Sequence, residues 1–168
     1  MSNKIDFIQS FFLRQQAPLS LSFSLKAGLG GVIAIATLAL ISQWTDSLWL
    51  MAPFGATCVL IFSVPASPLS QPVNVVAGHF ISTLIGLIAH AFLPFTWWSI
   101  GLAVGIAIMA MAVLRVTHPP AGADPLVVFM DELGWNYLGF PVLTGSISLV
   151  VIAWIFHRLP PVVNYPNK

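Results

Sequence analysis

Long apolar runs dominate the pattern of hydrophobic and polar positions along the chain. Four runs are long enough to cross a membrane as helices, which takes about 20 mostly apolar residues. They lie at 22–43, 73–93, 97–116 and 137–157. Two shorter apolar segments lie between them, at 48–63 and 119–130. The pattern therefore predicts an all-α, polytopic transmembrane bundle of about six membrane segments, two of them short or broken.

The number of crossings depends on the two short segments. A straight helix over 119–130 alone is too short for a hydrocarbon core of about 30 Å, so four spans plus two re-entrant segments are the alternative. Six crossings place all six Lys and Arg on one side, which the positive-inside rule associates with the cytoplasm. These cations are Lys4, Arg14, Lys26, Arg115, Arg158 and Lys168. We therefore expect six crossings, both termini in the cytoplasm, and a bacterial inner membrane as the location.

Charge is scarce along the chain. Charged residues make up 7% and hydrophobic residues 58% of the 168 positions, whereas a soluble domain carries about 25% charged residues. The composition predicts a single integral membrane domain, 1–168, with the lipid bilayer as a partner. The sequence has no basic patch for nucleic acid, no Met, His and Cys cluster with metal spacing and no recognised catalytic arrangement. We therefore expect no nucleic-acid partner, no metal, no cofactor and no enzymatic activity.

The two ends of the chain lie outside the apolar runs. Residues 1–18 are predicted to form an interfacial segment, with a short helix over 4–16 on the membrane surface. Ile5, Ile8 and Phe12 recur there at helical spacing, and Pro18 should end the helix. Residues 159–168 form a C-terminal tail.

The two short segments resemble each other at an offset of 67 residues. The identical pairs are Pro53 and Pro120, Gly55 and Gly122, Ala56 and Ala123, Phe62 and Phe129, and Gly78 and Gly145. We therefore predict two copies, 20–90 and 91–158, of three crossings each. An odd number of crossings inverts the second copy, and inverted repeats with interrupted helices are typical of secondary transporters. The alternative is chance similarity in an apolar chain.

Prolines mark where the two short helices begin. Pro is tolerated in the first turn of a helix, so Pro53 and the pair Pro119 and Pro120 predict helix starts within the membrane. Gly55 and Gly122 would then let a ligand approach the backbone closely. Two such starts, coming from opposite sides, would aim free N–H groups at a small anion. The alternative is a structural kink without a ligand.

Five polar side chains lie at or near these breaks, and together with the Pro and Gly residues they are the predicted substrate-binding residues. Ionisable groups deep in a membrane usually face the protein interior and have a function. Asp124 is predicted to be a helix cap or a proton or ligand site. His118 is predicted to carry a proton, face an anion, or bond to backbone carbonyls. Gln71 and Asn74 should cap the third span or face the site, with His79 one turn further in.

Small residues recur at a spacing of four on two of the predicted spans. Gly78, Ser82 and Gly86 do so on one span, and Gly101 and Gly105 on another. In membranes this pattern lets helices approach closely. It predicts tight helix packing and is compatible with a homo-oligomer.

Several of these motifs together resemble the HPP family of small integral membrane proteins. The resemblance is carried by APFGA at 52–56, the Ser, Pro, Leu, Gln, Pro and Asn positions of 67–74, Gly78 with His79, and above all HPPAGA at 118–123. It covers nearly all of the chain after Leu21. The family is usually described with four spans, and some members in cyanobacteria and plant plastids are associated with nitrite transport. Val73 and Asp124 stand where the family often has Arg and Thr.

Two functions are compatible with these observations. The first is secondary transport of a small inorganic anion, either alone or coupled to protons, and the resemblance makes nitrite the leading candidate. The second is a non-transporting membrane anchor or sensor module that acts through protein partners. The residues alone lead to a membrane protein with a buried polar site at broken helices.

Overall fold

The computed structural model describes residues 9–46 and 48–167 of the chain. Within these ranges it contains six helices and no strand. They are α1 (Leu21–Thr45), α2 (Ala52–Ser63), α3 (Pro72–Phe92), α4 (Trp97–Val113), α5 (Asp124–Met130) and α6 (Leu138–Phe156). A 3-10 turn, Pro119–Ala123, leads directly into α5, and a second one, Pro68–Ser70, precedes α3. The first turn of α6, within Leu138–Leu143, is kinked at Phe140, whose backbone is extended. The predicted all-α bundle is confirmed.

The helices differ in whether they can cross a membrane by themselves. Among the described residues α1, α3 and α6 are long and apolar enough by length and composition, whereas α2 and α4 are shorter apolar helices. The predicted bounds of the four long runs differ from those of α1, α3, α4 and α6 by three residues or fewer.

The predicted surface helix at the N-terminus is wrong over much of its length. Residues 9 and 10 are helical and 11 and 12 form a turn, but 13–20 contain no helix, and 4–8 lie outside the described residues. Residues 9–20 are exposed, and a helix this short is marginal in isolation. Pro18 also disfavours the helical conformation of the residue before it.

Each short helix continues an extended stretch. Residues 48–51 precede α2 and residues 116–118 precede the 3-10 turn before α5, and neither stretch is helical. An extended residue advances about 3.3 Å, a 3-10 residue about 2.0 Å and an α-helical residue about 1.5 Å, so each combination reaches about 30 Å. A hydrocarbon core is about 30 Å thick. Each short helix is therefore long enough to cross a membrane when its preceding stretch is included.

Contacts of the C-terminal tail place three parts of the chain on one face of the bundle. Lys26, near the start of α1, donates from Nζ to the carbonyl oxygens of Leu159 (2.5 Å) and Pro161 (2.6 Å). Tyr165 donates from its hydroxyl to the carbonyl of Ser70 (3.0 Å) in the connection between α2 and α3. Burial raises the pKa of the Tyr165 phenol, which keeps this donor protonated. The tail, the start of α1 and the α2–α3 connection therefore share a face.

The connections at the other ends of the helices meet on the opposite face. The rings of Trp49 and Phe140 lie 4.4 Å apart, and those of Phe95 and Phe129 lie 6.3 Å apart. Four spans plus two re-entrant segments would put the α2–α3 connection and the tail on opposite sides of the membrane. Because Tyr165 joins them directly, the contacts favour six crossings over that alternative.

Contacts between the two predicted copies set the direction of the broken segments. A Cβ added to Gly78, near the start of α3, would lie 3.3 Å from the carbonyl oxygen of Val116. His90, near the end of α3, lies with its ring 5.2 Å from that of Phe129. The order of these contacts makes α3 parallel to the segment 116–130.

Equivalent contacts occur at positions shifted by 67 residues, with the roles of the two copies exchanged. A Cβ added to Gly145 would lie 3.5 Å from the carbonyl oxygen of Trp49, and the rings of His157 and Phe62 lie 5.8 Å apart. The helix α6 is therefore parallel to α2. Since α2 and α3 cross in opposite directions, the two broken segments are antiparallel. This exchange is what an inverted repeat over 20–90 and 91–158 requires, and it supports that prediction.

The small-residue face of α3 packs tightly, as predicted. A Cβ at Gly78 would lie 2.7 Å from Cβ of His118, and one at Gly86 would lie 2.9 Å from Cα of Pro125. A Cβ at Gly101 or Gly105 of α4, in contrast, would meet nothing within 4 Å in the chain. The close approach of α3 to the second broken segment therefore depends on the absence of side chains at these positions.

We predict that Gly78→Ala destabilises the protein by about 1–3 kcal/mol, because its methyl group would displace His118. Gly101→Ala is the matched control and should be neutral or stabilising by about 0.5–1 kcal/mol, since it removes a helical glycine without a clash. Thermal unfolding of the purified variants in detergent measures both effects. Equal melting temperatures for the two variants would contradict the packing described for Gly78.

Labelling of introduced cysteines tests the six crossings. Cys58 is the sole cysteine, so Cys58→Ser gives a cysteine-free background. Six crossings put Asp46 and Arg115, both exposed, on opposite sides of the membrane. We expect Asp46→Cys and Arg115→Cys to react with a membrane-impermeant maleimide from opposite sides of oriented vesicles. Reaction of both from the same side would establish the four-span topology instead.

Candidate functional site

A chain of hydrogen-bonded polar side chains crosses the interior where the two broken segments meet. It consists of Asp124, His79, Thr57 and His118, and each of these side chains is 0% exposed. They come from α5, α3, α2 and the residue before the 3-10 turn, respectively. A buried polar group costs free energy unless it is hydrogen-bonded, so these residues stabilise the fold only as a connected set.

Asp124 and His79 form one end of the chain. Oδ2 of Asp124 lies 2.9 Å from Nδ1 of His79 and accepts a hydrogen bond from the hydroxyl of Thr83 at 3.2 Å. Thr83 follows His79 by one helical turn, so α3 presents both side chains to the same carboxyl group. Oδ1 of Asp124 is buried and has no hydrogen-bond partner among the described protein atoms. The pair therefore retains one unused acceptor.

Thr57 connects the two histidines. Its Oγ1 lies 2.8 Å from Nε2 of His79 and 3.0 Å from Nε2 of His118. It also lies 3.2 Å from the carbonyl oxygen of Pro53, one turn earlier in α2. The two broken segments are thus joined by side chains: Thr57, in the second turn of α2, contacts His118, at which the second break begins.

Three further bonds fix the second break in place. His118 donates from Nδ1 to the carbonyl of Leu69 (2.8 Å), and Asn74 donates from Nδ2 to the carbonyl of Thr117 (3.0 Å). Ser82 donates from Oγ to the carbonyl of Ala121 (2.6 Å). Carbonyls exposed by an interrupted helix need such partners inside a membrane. Asn74 therefore holds the backbone beside His118 and does not contact the polar chain itself.

The remaining predicted residues lie around the chain. Pro53, Pro119 and Pro120 border an apolar groove of ≈ 650 Å³ between the two broken segments, lined otherwise by Ala, Val, Leu and Met side chains. Gly55 and Gly122 meet nothing within 4 Å where a Cβ would be. The glycines thus leave the backbone accessible, but the groove offers an anion no polar side chain.

Gln71 lies apart from this site. Its Nε2 donates to the carbonyls of Pro65 and Ser67, both at 2.9 Å, and its Oε1 accepts from the backbone N–H of Asn167 at 2.8 Å. It makes no side-chain cap to α3. Polar groups of the adjacent connection and of the tail are nearer than the site, so Gln71 organises this connection.

The sequence prediction missed Thr57 and Thr83. Both have a signal that can be recognised afterwards: Thr57 is a hydroxyl in an otherwise apolar short helix, and Thr83 lies four residues after His79. The carbonyl of Leu69 has no such signal, because only the fold brings it to His118. Among the described residues no group of three or more His, Cys, Asp and Glu side chains has a metal-binding arrangement.

The fold and this buried polar chain define a polytopic helical membrane protein built around two interrupted helices. The chain belongs to the HPP family, whose transmembrane region matches residues 16–166. It is similar to two transmembrane proteins of Dictyostelium discoideum, with 34% identity in each case. The matches cover 82% and 70% of this chain but 48% and 44% of those proteins, so the chain spans less than half of their length. No solved structure matches.

We predict that His79 and Asp124 are strongly coupled in stability. His79→Phe leaves the Asp124 carboxyl group buried without its main partner and should cost about 3–5 kcal/mol. Adding Asp124→Leu should then cost less than it does alone, giving a coupling free energy above about 1 kcal/mol. Denaturant unfolding of the two single variants and the double variant in detergent measures this.

His90→Phe is the matched control for this cycle, because His90 is half-buried, packs on Phe129 and takes no part in the polar chain. Combined with Asp124→Leu it should give additive effects. Additive effects for His79 and Asp124 as well would show that the hydrogen bond between them contributes nothing to the fold.

Proposed function

We propose that this protein transports a small inorganic anion across the membrane together with protons. The observation that carries the proposal is the buried chain of Asp124, His79, Thr57 and His118 at the junction of two antiparallel broken segments. Ionisable side chains at such depth are costly and usually take part in ion or proton pathways. Antiparallel interrupted helices with a polar site between them are also typical of secondary transporters.

Charge balance supports an anion as the co-transported solute. The chain holds one carboxyl group and two imidazoles, so it becomes positively charged once both imidazoles and the carboxylate have taken up enough protons. An uncompensated charge in a low-dielectric interior is unfavourable, and an anion of charge −1 would balance it. The apolar groove beside Pro53, Pro119 and Pro120 has no cation of its own, so anion binding there would depend on protons in the chain.

Nitrite is the first substrate to test, and this choice comes from the resemblance to HPP proteins associated with nitrite transport. We also propose that the face with Lys26, Arg115 and Arg158 is cytoplasmic, since the positive-inside rule orients helical proteins in this way. A bacterial inner membrane would be the corresponding location. The exposed small-residue face of α4, with Gly101 and Gly105, would suit a homo-oligomer.

A second candidate function is a non-transporting membrane module that acts through protein partners. It is favoured by the complete burial of the polar chain, since His79, His118 and Asp124 are all 0% exposed. In this case the network would serve only to specify the packing of the broken segments. Transport requires that these groups become accessible during a cycle, whereas a structural network does not.

Uptake of nitrite into proteoliposomes distinguishes the two functions. We expect saturable uptake that is accelerated by an inward proton gradient and lowered about 10-fold or more by His118→Asn, which removes a charge-assisted hydrogen bond. His90→Asn is the control and should transport like the unmodified protein. Protein-free liposomes measure the background, because nitrous acid crosses lipid unaided.

Absence of saturable uptake by a folded, monodisperse protein would overturn the transport proposal for nitrite. Nitrate and formate added as competitors show whether another small anion is preferred. If none of the three is transported, with or without a proton gradient, the non-transporting module becomes the better description.

A further inference from the structure

The hydroxyl of Thr57 has more neighbours than it can satisfy with one hydrogen. Its Oγ1 lies within hydrogen-bond distance of Nε2 of His79, Nε2 of His118 and the carbonyl oxygen of Pro53. A threonine hydroxyl has one proton to donate and two lone pairs to accept with. The protons present on the two imidazoles therefore decide which of the three bonds Thr57 donates.

The outer nitrogen of each imidazole is constrained by its own partner. Nδ1 of His118 faces the carbonyl of Leu69, which only accepts, so this nitrogen carries a hydrogen. Nδ1 of His79 faces Oδ2 of Asp124, so one proton must lie between these two atoms. Within the hydrogen bonds described, only the protons on the two Nε2 atoms can then be gained or lost.

Without an additional proton the network cannot be satisfied. Both imidazoles would be neutral, with hydrogens on Nδ1, and both Nε2 atoms would be acceptors facing Thr57. The single hydroxyl proton can serve His79 or His118 but not both, and leaving a buried polar group unpaired is unfavourable. Asp124 would also leave a net charge of −1 in the interior.

One additional proton pairs all four imidazole nitrogens and the Thr57 hydroxyl, and it makes the chain neutral. The proton lies on Nε2 of His79, which donates to Thr57, and Thr57 donates to Nε2 of His118. Asp124 and His79 then carry opposite charges, or they are both neutral if the shared proton moves to the carboxyl group. Neutrality and the pairing of both imidazoles make this the resting state.

A second additional proton binds to Nε2 of His118, and the Thr57 hydroxyl rotates to accommodate it. When Nε2 of His118 is protonated it becomes a donor, and Thr57 then accepts from both imidazoles. Its own hydrogen turns to the carbonyl of Pro53, which lies 3.2 Å away. Both imidazoles and the Thr57 hydroxyl remain paired, and the chain now has a net charge of +1.

We propose that this chain is a two-state proton site in which the Thr57 hydroxyl switches between His118 and the Pro53 carbonyl as His118 gains a proton. The imidazole of His79 faces both the imidazole of His118 and the carboxyl group of Asp124, and Asp124 lies close enough to the phenol of Tyr137 to act on it. The proton count follows from hydrogen-bond geometry alone. That the second proton balances the charge of a bound anion, one proton per anion, rests on the proposed function.

Histidine ring nitrogens report these states directly by ¹⁵N NMR of histidine-labelled protein in lipid nanodiscs. His118→Asn and His79→Gln identify the two sets of signals. At high pH the neutral form of His118 should carry its hydrogen on Nδ1, and at lower pH it should become an imidazolium. A neutral His118 with its hydrogen on Nε2 would overturn the proposal.

Two substitutions of Thr57 test the switch. Thr57→Ser keeps the hydroxyl and should titrate like the unmodified protein. Thr57→Val keeps the shape but removes the acceptor for the imidazolium, so His118 should be protonated only at a pH about one to two units more acidic. Identical titrations of the Ser and Val variants would overturn the role of the hydroxyl. If the Val variant does not fold, the tautomer of His118 in the unmodified protein still decides.

Adding nitrite at constant pH separates this inference from the proposed function. If the anion binds with the second proton, nitrite should increase the imidazolium fraction of His118 in the unmodified protein but much less in the Val variant. An intact pH titration that nitrite leaves unchanged would retain the two-state proton site and reject its coupling to this anion.

Discussion

The interior of a membrane supplies no water to pair a broken backbone, and this constraint organises the whole protein. A break exposes carbonyls that a continuous helix would satisfy, and at the second break these are met by side chains from another segment. Asn74 and Ser82 of α3 serve the second break. His157, after α6, donates from Nε2 to the carbonyl of Ile61 in α2. The third segment of each copy thus completes the broken segment of the other, and the two copies depend on each other for their fold.

The polar chain also has to be paired inside the membrane, but it does more than pair a broken backbone. Thr57, His79 and Asp124 do not pair with carbonyls at the breaks alone; they pair mainly with one another. Replacing such a buried network with apolar residues of similar size is often neutral or stabilising in other proteins. Its presence in the centre of an apolar bundle is therefore better explained by a function, or by selection of one packing arrangement, than by stability. Because both imidazoles bond to the single hydroxyl of Thr57, the network also permits only a small number of proton arrangements.

Much of the fold could be predicted from the sequence because hydrophobic length and proline position are local signals. The bounds of α1, α3 and α6, and the breaks at Pro53 and Pro119, follow from them directly. The residues of the site could be only partly predicted. Ionisable groups in an apolar chain stand out, so His79, His118 and Asp124 were identifiable, but their pairing depends on contacts 39 and 45 residues apart along the chain. Hydroxyls such as Thr57 are common in membrane helices as backbone-bonded residues, and nothing local distinguishes one that bridges two histidines. Gln71 shows the opposite error, since a polar residue near a helix start was satisfied by its own connection.

The C-terminal tail belongs by sequence to the second copy but is attached to the first. Lys26 of α1 donates to two tail carbonyls, and Tyr165 donates to Ser70 in the connection that also carries the carbonyl bonded to His118. If the two copies rotate against each other to open the site, the tail will move as a rigid part of the first copy. Besides the boundary between the copies near residue 91, a second hinge will then lie just after α6, near His157. The parts of the molecule that move as units therefore differ from the two sequence repeats.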